Sequence, residues 1–124
     1  MKELSLAVVG LDYLNKDKSN RRFELALCEA GETVRLELDP RNRADPRAVA
    51  VFSARGVQLG YLTAERCGWI GARLRAGEDY DAIFQEAQPY AAIIRVRFGG
   101  GRPALPPQRA RRAPEPEELV DWGC

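Results

Sequence analysis

The chain has 124 residues, 45% of them apolar, with 19 basic and 18 acidic side chains and a net charge of +1. That length suits one domain rather than two, and the charge balance excludes a uniform polybasic coat while leaving local patches open. With no histidine and three scattered cysteines, Cys28, Cys67 and Cys124, a disulfide framework and a zinc site are both disfavoured, and Ser-His or Cys-His catalysis is excluded.

The first segment, "ELSLAVV" at 3–9, is apolar with β-branched residues at its end and reads as a strand. Gly10 and Asp12 interrupt the apolar run, and no small-residue cleavage pattern follows, so it does not read as a signal peptide. Nothing approaches the roughly 18 apolar residues of a membrane span. The expectation is a cytoplasmic protein with no membrane partner. "GLDYLNKDKSNRR" is a polar, basic loop carrying Lys16, Lys18, Arg21 and Arg22.

"RFELALCE" alternates Phe23, Leu25 and Leu27 against Glu24, Ala26 and Cys28, which predicts a half-buried strand. After the turn "AGE", "TVRLELD" alternates in the same way. "AVAVFS" and "VQLGYL" are two short strands joined at "SARG", where Gly56 supplies the turn. Thr63 is a helix N-cap by type, and Cys67, Ile70 and Leu74 follow at helical spacing until Gly77. Trp69 on this helix reads as core rather than as a ligand platform. "AIFQEA" and "AAIIRVRF" are the last strands.

After Phe98 the composition changes. A Gly-Gly-Gly run leads into Pro103, Pro106, Pro107, Pro114 and Pro116, with Arg102, Arg109, Arg111 and Arg112 first and Glu115, Glu117, Glu118 and Asp121 last. Residues 99–124 read as a flexible, charge-polarised tail behind a domain at 1–98. That domain is mainly β with one or two helices. Its short strands and tight turns suggest a small closed or nearly closed barrel, because closure removes exposed edges.

No phosphate-binding P-loop, zinc-protease, hydrolase or dinucleotide fingerprint occurs. "FGGGRP" at 98–103 lacks the following helix that a phosphate cradle needs, because prolines follow it. Asp79 and Asp81 sit beside a turn, where nothing shifts a carboxylate toward catalysis. The expectation is a protein that is not an enzyme and uses no cofactor or metal.

The loop "DPRNRADPR" at 39–47 is the unusual feature. Prolines push Asp39 and Asp45 into extended or turn conformations, and Asn42 is suited to bonding its own backbone. A stiff turn accounts for those residues. It does not require Arg41, Arg43 and Arg47, which suit the forked grip of a guanidinium on phosphate oxygens. A turn and a nucleic-acid contact both remain open on the residues alone.

Three stretches in order, "AVVGLDY", "VRLELDPRNRADPRAVAVF" and "VQLGYLTAE", resemble the HIRAN domain family over roughly residues 4–98. The resemblance implies an OB-like β-barrel with helical decoration. It also implies capture of single-stranded DNA by its 3′ end in members attached to replication-fork remodelling ATPases. By matched position, Tyr13 would stack a base, Asn42 and Asp45 would be the loop pair with Asp45 accepting from the 3′ hydroxyl, and Tyr61 would fill the Gly-Tyr/His-Leu step. This chain departs from the family in having Ala44 where DNA-binding members often have tyrosine, and Asp12 where they are often basic. Arg41, Arg43, Arg47 or the basic loop at 16–22 would have to compensate.

The leading expectation is a DNA-binding module for single-stranded or 3′-ended DNA in repair or replication. The alternative is an adaptor or accessory subunit of an ATPase, helicase or nuclease, acting through the tail residues Leu119, Val120 and Trp122. An intrinsic hydrolase is the weakest of the three readings, since no Walker motif or histidine is present.

Overall fold

The structure, a computed structural model, describes residues 3–106. The elements are β1 (Glu3–Val9), α1 (Arg21–Leu27), β2 (Arg35–Leu38), β3 (Val49–Phe52), β4 (Gln58–Leu62), α2 (Ala64–Arg75), β5 (Tyr80–Ala87) and β6 (Ala92–Phe98). The strands form one antiparallel sheet in the order β2-β3-β4-β1-β6-β5. The sheet curls into a half-barrel, and its far edges approach each other. Residues just before β2 bond to β5 through Gly31 N to Phe84 O, Phe84 N to Glu32 O and Val34 N to Ala82 O. The Tyr80 hydroxyl accepts from Leu36 N at 2.9 Å across the same seam. Part of each edge thereby loses the unpaired backbone groups that would invite another strand.

β6 alternates cleanly, with Ala92, Ile94, Val96 and Phe98 buried and the intervening residues part-exposed. Val8, Val49, Val51, Leu59, Ile94 and Val96 fill the interior, and α2 covers it with Cys67 and Ile70. Each such aliphatic side chain contributes roughly 1.5–3 kcal/mol on burial. Trp69, expected in the core, is instead 38% exposed; its ring meets Phe98 in a T-shaped contact with centroids 6.2 Å apart, and Arg73 stacks over the Trp69 ring at 4.5 Å. Thr63 stands at the N-cap position of α2 and its carbonyl accepts from Cys67 N, but its side chain makes no capping bond. Gly77 closes the helix with φ of 78°.

One expectation fails. Residues 23–28 do not form a strand; most of them belong to α1. Asn20 caps this helix by accepting from Phe23 N at 3.0 Å. The buried face is Arg21, Glu24 and Leu25, at spacings of three and four, while Phe23 is 67% exposed. The two-residue alternation of apolar side chains therefore did not report burial. A local cap and a polar contact decided the segment. Glu24 accepts from Ser53 Oγ at 2.7 Å and Arg55 Nε at 2.6 Å, which ties α1 to the β3–β4 turn. With α1 counted, the domain is mainly β with two helices.

Beyond Phe98, Arg102 donates to Gly31 O and Thr33 Oγ1, and Ala104 N donates to Glu3. The charged tail end, including Leu119, Val120 and Trp122, lies outside the described residues. Among the described residues no helix is long and apolar enough to cross a membrane.

Candidate nucleic-acid interface

The loop between β2 and β3 is organised by its own side chains. Asn42 Oδ1 accepts from Ala44 N at 2.8 Å and Asp45 N at 3.0 Å. Asp45 Oδ1 accepts from Arg47 N at 2.8 Å, and Asp39 Oδ2 accepts from the Tyr61 hydroxyl at 2.8 Å. The backbone adds Asn42 N to Asp39 O and Ala48 N to Asp45 O. These bonds satisfy donors that a strand or helix would otherwise occupy, as Asx-type turns do. The aspartates and the asparagine thus do build a stiff turn. The arginines take almost no part in it. Arg41 and Arg43 are exposed and make no hydrogen bond or ion pair among the described residues, and Arg47 Nε lies 3.6 Å from Asp45.

Beside this loop lies a cleft of about 380 Å³ lined by Tyr13, Asn42, Asp45 and Tyr61, together with Val9, Gly10, Arg21 and Cys67. That volume falls in the range of small-ligand sites. Residues from three separate stretches of the chain are therefore brought together. β1 ends at Val9 opposite Tyr61 of β4. Gly10, at φ of 82°, turns the chain out so that Tyr13 reaches the rim, 71% exposed. Gly60 permits the close approach of β4 to β1, since a Cβ there would run into the Val9 carbonyl oxygen. Arg41, Arg43 and Arg47 do not line the cleft.

Asp45 is held below the usual carboxylate range, first by the Arg47 backbone N–H and further by the Arg47 charge and the Cys67 thiol. It stays anionic at neutral pH. Its Oδ2 faces Cys67 Sγ at 3.7 Å. A carboxylate has about four acceptor positions, so it retains capacity for a hydroxyl donor. Burial, and then Asp45, push the Cys67 thiol up.

Two further residues stand at this end of the barrel: Tyr90, to which the sequence gives no role, and Arg21, one of the four basic residues expected to compensate at 16–22. Tyr90, in the β5–β6 turn, is 86% exposed. Ala92 pairs with Val8, and Val8 pairs with Leu62, so the turn lies at the same end of β1 as the cleft. An aromatic residue in a short Gln-Pro-Tyr turn, where nothing needs it for packing, was the available signal. Arg21 lines the cleft although it belongs to α1. Its charge is part of the basic segment 16–22 in the sequence, and the structure separates it from that loop as the first, buried residue of α1.

A family model described as HIRAN domain matches residues 1–96. None of the curated proteins matches the chain. Among solved structures, the crystal structure of the HIRAN domain of human HLTF is similar at 22% identity and a TM-score of 0.64, covering 77% of this chain and 74% of that one. A crystal structure of a protein from Lactobacillus plantarum is similar at 18% identity and a TM-score of 0.58, covering 77% of this chain and 98% of that one. At these identities the two structures share the fold.

Proposed function

Because the chain belongs to the HIRAN domain family, we propose that it is a non-catalytic DNA-binding module that takes single-stranded DNA by its 3′ end, in DNA repair or replication. The observation that carries this reading is that Tyr13 and Asp45, 32 positions apart, line one cleft. The exposed Tyr13 ring offers a base a stacking surface worth roughly 1–3 kcal/mol, largely independent of base identity. Tyr90 offers a second surface at the same end of the barrel. Asp45 accepts a hydrogen bond from a sugar hydroxyl and repels a terminal phosphate, which makes a free 3′ hydroxyl the preferred end. Arg41 and Arg43 meet the backbone of the strand outside the cleft, where phosphate contacts add affinity without reading sequence.

The test is fluorescence anisotropy with two short single strands, one ending in a 3′ hydroxyl and one in a 3′ phosphate, on wild type and Asp45→Ala. Tighter binding of the hydroxyl end, lost in the variant, is expected. Equal affinity for both ends in wild type would remove end recognition. Affinity that stays flat across a salt series would remove the phosphate contacts of Arg41 and Arg43 and count heavily against this reading.

A further inference from the structure

We propose that Arg21 is the phosphate receptor of the cleft, so that the site recognises a terminal nucleotide from both sides of its sugar, its 3′ hydroxyl at Asp45 and its 5′ phosphate at Arg21. This inference rests on the DNA-end reading above and names which phosphate is read and by what.

Four basic residues lie on the segment after β1, and the structure separates them. Arg22 is already committed, its Nε 2.7 Å from Asp12. Lys16 and Lys18 are exposed to solvent. Arg21 is only 7% exposed and lines the cleft. Its Nε donates to Asn15 Oδ1 at 2.7 Å, and one terminal nitrogen donates to Gly10 O at 2.8 Å. Both acceptors are neutral. Among the described residues Arg21 forms no ion pair with a carboxylate, and its second terminal nitrogen has no partner and is not sealed from solvent. Its guanidinium carbon lies 5.6 Å from the Tyr61 ring centroid, and Arg21 also borders an adjoining cleft of about 540 Å³ that carries Asp17, Glu37 and Asp39, none of which it pairs with.

Removing a cation from water without a counter-charge is expensive, and folds rarely do it. Here the two neutral acceptors fix the guanidinium in place and leave part of its donor fork unused. A guanidinium has five N–H donors, so at least two remain for a ligand. The other charged residue lining the cleft is Asp45. A ligand that satisfies both carries an anion at one point and a hydroxyl donor at another. A 3′-terminal nucleotide within a strand has that pattern, with its 5′ phosphodiester as the anion. A 3′-phosphate end does not, because it places its anion against Asp45. Arg21 also answers the departure at Asp12. The position before Tyr13 is acidic and occupied by Arg22, and the positive charge reaches the cleft from α1 instead.

The experiment substitutes the ligand rather than the protein. A 5′-fluorescein oligothymidylate with a free 3′ hydroxyl is prepared with a neutral methylphosphonate at the last linkage, or at a linkage three nucleotides upstream. Charge-assisted bonds to one phosphate are expected to make the last-linkage substitution weaken binding by roughly ten- to hundred-fold, and the upstream one by under about three-fold. In Arg21→Met the two substituted strands should bind alike. Since Arg21 also ties Gly10 to Asn15, that variant is checked by circular dichroism. The Arg21 Nε–H resonance of wild-type protein supplies a second measurement, shifting with the unmodified strand and not with the last-linkage analogue. Equal losses at both linkages, an unmoved resonance, or a last-linkage effect that survives in a folded Arg21→Met would each overturn the assignment and leave end capture standing. Absence of binding to every strand would overturn end capture and the assignment together.

Discussion

The Tyr61 hydroxyl donates to Asp39 Oδ2 at 2.8 Å, joining the middle of the sheet to the first residue of the β2–β3 loop. One side chain thus supplies a wall of the cleft and an anchor for the loop that carries Asp45. Tyr61→Phe keeps the ring and loses the anchor. A loss of about 0.5–1.5 kcal/mol in urea unfolding is expected, with a several-fold fall in DNA affinity. In a double-mutant cycle with Asp39→Ala, the two stability losses should overlap rather than add, since each removes the same bond.

Asn42→Ala removes the acceptor for both Ala44 N and Asp45 N. The Ala44 N–H is exposed and water can take it up, but leaving the part-buried Asp45 N–H unpaired costs roughly 1–3 kcal/mol. The larger effect is expected on binding, because Asp45 loses its fixed position. Arg41→Ala and Arg43→Ala should leave the unfolding midpoint in place and reduce the salt dependence of DNA binding by about one counterion each. Lower stability in the arginine variants with unchanged stability in Asn42→Ala would mean that the arginines, not Asn42, hold the loop.

Gly60→Ala places a methyl group against the Val9 carbonyl. The contact is with backbone in a central strand pair, so no side chain can move aside. The expected cost exceeds the 1–3 kcal/mol of ordinary overpacking, and the soluble yield of the variant should fall with it. Thermal melts of Gly60→Ala and Gly56→Ala compare a blocked position with an open turn. Gly56 has nothing within 4 Å, and its penalty comes from a φ of 82° alone.

Glu3 holds the other end of the barrel. Its carboxylate accepts from Arg95 Nε, Ala104 N and Arg97 Nη1 at 2.9–3.0 Å. These partners, Arg95 foremost, hold its pKa at about 2 against an ordinary 4.5. Because the folded value is depressed, the stabilisation is complete above about 4.5 and is lost as pH falls toward 2. Melting temperatures of wild type and Glu3→Gln should therefore differ most above pH 4.5 and converge by pH 2. A gap that stays constant across that window would mean that the ion pairs do not couple to folding.

Cysteine chemistry reports on the cleft from inside. Burial raises the Cys28 thiol to about 11, and burial followed by Asp45 raises Cys67. Since the thiolate is the reactive species, iodoacetamide at pH 8 should modify both sites roughly ten- to hundred-fold more slowly than in urea. Single-stranded DNA with a free 3′ hydroxyl should slow Cys67 further and leave Cys28 unchanged, as site-resolved mass spectrometry would read.

β2, β6 and part of β1 alternate in burial, whereas β3, β4 and β5 bury consecutive residues and were legible from short apolar runs between turn residues. β1 and β6 lie almost where the sequence places strands, and Gly56 and Gly77 close the turn and the helix as expected. α1 was not legible. Its apolar residues alternate, but its buried positions include an arginine and a glutamate whose partners, Gly10 and Arg55, lie elsewhere in the chain. Arg21 reaches the cleft as the first residue of this helix. Tyr13, Asn42, Asp45 and Tyr61 were found from a motif, and the structure adds that they line one cleft. The role of Asp39 as the partner of Tyr61 depends on a contact across 22 positions that no local pattern announces.

The direction of β1 has a consequence for how the domain can be tethered. β1 enters at Glu3, opposite Arg97 of β6, and finishes at the cleft. β6 starts at the cleft end and returns to Glu3, where Ala104 bonds the same carboxylate. Entry and exit of the described chain are thus clamped together at the pole farthest from Tyr13. Cargo fused before β1 or after Ala104 would leave the domain from that end, away from the mouth of the cleft.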